Sequence, residues 1–203
     1  MYYLERKRIE SEIERVHQRF IHIMYPKFGL SEEPKPSISF RGYGALGYKK
    51  EFESINPQFK EWLEAQPPQL THEISVGEIS DYAEISEQKQ KLKDACLHES
   101  SHYLHIIKNP RLFIEKRKNN KSPLHIYNDT NSGTRLVELI AELGVIIFLN
   151  TEGNLKYYLD RMTNRGYTET QFAYNIFRKG INLEQLASYN LEEGSLIANE
   201  LWK

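Results

Sequence analysis

The chain has 203 residues, 27% of them charged and 39% hydrophobic, a balance that fits one globular domain and excludes a low-complexity or fibrous protein. A formal net charge of -1 provides no broad field to draw the chain onto nucleic acid or an anionic membrane, so neither is expected as a partner. No apolar run approaches a membrane span, the opening MYYLERKRIESEIERV lacks the apolar stretch of a secretory signal, and the lone Cys96 excludes an internal disulfide.

Those three features together point to a reducing cytoplasm. Residues 3–25 place Ile9, Ile13, Val16, Phe20 and Ile23 at alternating spacings of four and three, the apolar stripe of an amphipathic helix. Its acids and bases interleave on the other face, as on a solvated helix. Pro26 and the SEEPKP segment end it. Residues 37–52 alternate around glycines and aromatics and predict two short strands joined by a turn. Residues 56–69 read as a short helix or loop closed by Pro67-Pro68, and residues 70–79 as a further strand. Ser86 is the expected N-cap of a helix running to about Lys108, stopped by Asn109-Pro110.

Residues 110–132, with KRKNNKSP and NDTNSG, predict a long connection. An apolar helix is expected from Thr134 to Leu149, broken around Gly153, and residues 154–203 supply two or three more helices. Helix, strands, then helices is the order of an α+β chain. A core over residues 1–150 with a helical subdomain at 151–203 packed on it is the expected organisation.

Within KLKDACLHESSHYLHII lies His98-Glu99-Ser100-Ser101-His102, an H-E-x-x-H pattern. Four residues apart on a helix, His98 and His102 project from one face and can reach one Zn2+ together. Glu99 is turned by roughly 100°. That direction suits a base for a water molecule held by the metal, not a third ligand. The flanking Ala95, Cys96, Leu97, Ser100, Ser101, Tyr103 and Leu104 are uncharged, as a helix beneath an active site requires. Cys96 itself reads as a small buried hydrophobe.

A catalytic zinc needs a third protein ligand and one open position. A further histidine preceded by glycine, ten residues after the first, is absent, because residue 108 is Lys and no Gly lies between. His105 lies three residues past His102 and reads as a core histidine, or one behind the ligands. An acid on a second helix remains: Glu138 and Glu142, 36 and 40 residues beyond His102, are four apart in an otherwise apolar stretch. Two buried carboxylates need a cation or dense hydrogen bonding. Developing oxyanion charge also needs a donor, with His125, Tyr157, Tyr158, Tyr167 and Tyr174 as candidates. Of these, Tyr174 fits a core aromatic better.

HESSH followed by ELIAEL resembles the gluzincin branch of zincin metallopeptidases, and VELIAELG is similar to the zincin-like peptidase domains of antirestriction proteins. More distantly, it is similar to the regulator-cleaving peptidases of mobile elements. The likeness spans residues 70–150 and leaves the N-terminal helix and residues 154–203 unmatched.

The resemblance implies a zincin-like α+β fold with a small antiparallel-rich sheet. It makes His98, His102 and Glu138 the zinc ligands, Glu99 the general base and Glu142 the acid that supports a ligating histidine. It implies a peptide or protein substrate held along a sheet edge at residues 70–79 or 37–42. The alternative is a zincin-fold regulatory or interaction protein that is non-catalytic, or latent beneath its C-terminal helices.

Overall fold

The computed structural model describes residues 2–40, 45–47, 73–75, 85–109, 132–164, 166–189 and 193. The segment at 56–69, almost all of the connection at 110–132, and His125 lie outside the described residues.

Helix α1 (Tyr2–Met24) buries Ile9, Ile13, Phe20, Ile21 and Met24, with Val16 and Ile23 at the margin of the core. The stripe read from sequence is therefore the packed face. Pro26 starts a 3-10 turn (Tyr25–Phe28), whose Phe28 is fully buried. Strands β1 (Ser37–Ser39), β2 (Ala45–Gly47) and β3 (Glu73–Ser75) follow. Then come α2 (Ile85–Lys108) and α3 (Ser132–Thr151). The described chain continues with α4 (Leu155–Asn164), α5 (Thr168–Arg178) and α6 (Leu183–Ala187).

The α+β expectation with a small antiparallel-rich sheet is corrected here. Helix dominates the described residues, and each described strand has only three residues. The strands lie in the order β1-β3-β2, with β1–β3 parallel and β2–β3 antiparallel. Two consequences follow for the sequence reading. The strands within 37–52 do not pair with each other, because β3 lies between them. Residues 70–79 contain the central strand, so among the described residues the sheet edges are β1 and β2.

The physical reason is where the apolar side chains are. Helices α1, α2 and α3 carry long stripes at helical spacing, whereas Ile74 is the described strand residue that is fully buried. Burying a large aliphatic side chain contributes about 1.5–3 kcal/mol. The core therefore forms between helices, and the short strands lie against it.

Helix α2 is central, with α1 and β3 packed on it and α3 alongside. Its uncharged residues Cys96, Leu97, Ser100, Ser101, Tyr103 and Leu104 are all buried. Helix α3 is apolar almost all round: Leu136, Leu139, Ile140, Leu143, Val145 and Ile146 are buried between α2 and α5. Gly153 ends it with a φ of 73°, a left-handed turn that glycine adopts without a Cβ penalty.

No described helix is long and apolar enough to cross a membrane.

Candidate metal centre

Helices α2 and α3 lie side by side, and His98, His102, Glu138 and Glu142 meet between them. His98 Nε2 lies 3.0 Å from His102 Nε2 and 3.1 Å from Glu138 Oε2, and His102 Nε2 lies 3.4 Å from the same oxygen. Two nitrogens and one oxygen thus form a triangle with edges of 3.0–3.4 Å. Ligand atoms held tetrahedrally by zinc stand about 3.3 Å apart, so the triangle has the size of a zinc site. Among the described residues, His98, His102 and Glu138 form the group able to hold a metal ion.

The far side of the His98 ring fixes its tautomer. Nδ1 lies 2.9 Å from Glu142 Oε1, so an Nδ1–H donates to that carboxylate. It is Nε2 that faces the triangle, and a cation would take its lone pair once its proton is lost. Glu142 thus meets the Nδ1 side of the His98 ring, and Glu138 the Nε2 side. His102 Nδ1 is buried and has no hydrogen-bond partner among the described residues.

The electrostatics show how the group is neutralised without a cation. Burial alone would push the His98 imidazole down, but hydrogen bonds and charge from Glu138 and Glu142 outweigh it and hold His98 well above its ordinary value. Burial would raise Glu138, yet the charge and hydrogen bonds of His102 and His98 hold it far below the carboxylate range. Glu142 is likewise lowered against its burial by His98, Thr170 and Tyr158. A cation at the triangle requires His98 Nε2 to give up its proton.

Glu99 is 7% exposed and stands outside the group able to hold a metal ion. In a catalytic role such a carboxylate is available to a proton. His105 is fully buried and stands outside the metal-binding group. Cys96 is fully buried, and burial pushes its thiol up to about 12, which keeps it protonated and inert.

The oxyanion candidates separate. Tyr158 is buried and donates its hydroxyl hydrogen to Glu142 Oε2 at 2.8 Å, so it braces an acid instead of facing the triangle. Tyr157 and Tyr167 are exposed, while Tyr174 stacks on Phe177 against the core.

Several partners were missed in the sequence. Thr170 Oγ1 donates to Glu142 Oε2 at 2.7 Å. Arg161 Nη2 donates to Asp94 Oδ1 at 2.6 Å, one turn before His98, while its guanidinium lies 4.6 Å from the Tyr157 ring centre. His17 Nδ1 lies 2.8 Å from Ser100 Oγ, inside the H-E-x-x-H turn. Separations of 16 to 83 residues leave no periodic signal for such pairs.

No family model, curated protein or solved structure matches the chain.

Proposed function

We propose that the protein is a zinc-dependent peptidase with a gluzincin-type site on a mostly helical framework. The observation that carries this reading is the convergence of His98 Nε2, His102 Nε2 and Glu138 Oε2 at zinc-sized spacings. Two nitrogens and one carboxylate are the donor set of a catalytic site that keeps a fourth position open.

Bound there, zinc would lower the pKa of a water molecule and polarise a substrate carbonyl. The chain's own residues supply the rest. Glu142 holds the His98 tautomer through Nδ1. Glu99 accepts the proton from the attacking water and later delivers it to the leaving amine. The buried surroundings of α2 and α3 keep the local dielectric low and strengthen both interactions. Polypeptide is the substrate class, and β1, at the sheet edge, is the strand onto which an extended peptide would add.

Elemental analysis of the purified protein should find one zinc per chain, and proteolysis of a generic unfolded substrate should stop with a chelator and return with zinc. Glu99→Gln should keep the zinc and lower hydrolysis by about 10^2–10^4-fold, the scale of a lost general base. A protein without stoichiometric metal ends the proposal. Zinc bound with equal, negligible hydrolysis by both forms would replace it with a metal-holding interaction protein.

A further inference from the structure

We propose that Tyr158 and Thr170, on α4 and α5, are positioning residues for the metal centre, fixing the Glu142 carboxylate so that it aims His98 at the cation. The inference rests on the metal-centre reading and adds two residues from helices that carry none of the zinc-binding pattern.

Glu142 divides its oxygens between two tasks. Oε1 meets His98 Nδ1 at 2.9 Å. Oε2 accepts from Tyr158 OH at 2.8 Å and from Thr170 Oγ1 at 2.7 Å. The last torsion of a glutamate side chain is broad and weakly held by itself. Two donors on one oxygen, arriving from different helices, fix the carboxylate plane and with it the direction of the other oxygen. All three side chains are buried, so water does not compete for these hydrogen bonds. The order of support is Tyr158 and Thr170 to Glu142, Glu142 to His98, and His98 to the cation. Neither hydroxyl touches the triangle, so both act through the acid. Partners behind a metal ligand commonly set its orientation and basicity, and affinity depends on them.

A simpler role is conceivable: the two hydroxyls satisfy a buried carboxylate and stabilise the fold without affecting the cation. Apolar isosteres separate the two. The full chain is prepared as wild type, Thr170→Val, Thr170→Ser, Tyr158→Phe and the Tyr158→Phe/Thr170→Val pair. Zn2+ affinity is measured by competition with a chromophoric chelator, the visible absorption of the Co2+ form reports ligand geometry, and thermal melting is followed without metal.

Thr170→Val and Tyr158→Phe should each weaken Zn2+ binding on the order of tenfold and shift the Co2+ bands, with a larger loss in the pair. Thr170→Ser, which keeps the hydroxyl, should bind as wild type does. Variants that melt earlier without metal but bind Zn2+ and Co2+ as wild type does would overturn the positioning role and leave the centre standing. Wild type that binds neither ion would overturn the centre and this inference with it. Should Tyr158→Phe not fold, the Thr170→Val and Thr170→Ser comparison decides the matter alone.

Discussion

His17 is an imidazole enclosed by α1, the segment before β1 and the back of α2. It is 4% exposed, with Nδ1 at Ser100 Oγ and the Pro36 carbonyl as a backbone partner. Burial disfavours the charged ring and pushes its pKa down from 6.5 to about 4, against the opposing pull of Pro36. Glu14, Glu33 and Lys35 line the cavity of about 450 Å3 beside it, and its partner on α2, Ser100, is uncharged. Above pH 6.5 the ring is neutral in both folded and unfolded chains and adds no pH dependence. As pH falls from 6.5 toward 4, the unfolded chain takes up a proton that the folded chain refuses, so stability falls. The gap between the two values corresponds to about 3 kcal/mol once fully developed. Urea unfolding of wild type at pH 7 and pH 4.5 should show this loss, and His17→Gln should lose about 2 kcal/mol less over the same interval. Equal losses in both proteins would mean that His17 is not held neutral.

At the scale of elements, the site depends on how closely α2 and α3 approach, and Gly144 sets that distance. A Cβ added there would collide with Ser101 Oγ and would lie only 3.3 Å from Ser101 Cβ and 3.4 Å from Phe28 Cζ. Gly144→Ala would gain about 1 kcal/mol of helix propensity. Overpacking between buried helices costs typically about 1–3 kcal/mol, so the net effect should be destabilising. The same displacement would move Glu138 and Glu142 away from His98, and zinc affinity should fall with the melting temperature. Adding Ser101→Gly should recover much of both. A Gly144→Ala protein with unchanged melting and zinc binding would show that the helices have room to spare. The sequence carried part of this arrangement: His98 with His102, and Glu138 with Glu142, each share a helix face through a four-residue spacing that any helix imposes. It also marked the uncharged neighbours that let α2 be buried. Which acid faces the Nε2 triangle and which faces Nδ1 depends on the rotation of α3 against α2, which the spacing within one helix does not encode. The sheet was less legible, because three-residue strands paired across tens of residues have little periodicity to read.

At the scale of the molecule, the C-terminal helices take part in the same core as the helices bearing the zinc-binding pattern. Helix α5 packs on α3, and Tyr158, Met162, Ile176, Leu183 and Leu186 are buried within one continuous apolar cluster that also holds α1, α2 and α3 side chains. The latent reading treats residues after about Asn150 as a cover whose removal frees the cleft. The packing argues for the opposite outcome. Losing these five side chains removes stabilisation of about 1.5–3 kcal/mol each, a sum on the order of 10 kcal/mol. Net stabilities of domains are about 5–15 kcal/mol, so the shortened chain should not hold its fold. The cut also takes away Tyr158 and Thr170, leaving Glu142 Oε2 without those two donors in a buried place. A chain ending at Asn150 should therefore be aggregated or molten by near-ultraviolet circular dichroism, and should bind zinc weakly if at all. A folded, zinc-loaded fragment with raised proteolysis would instead establish residues 151–203 as a removable lid.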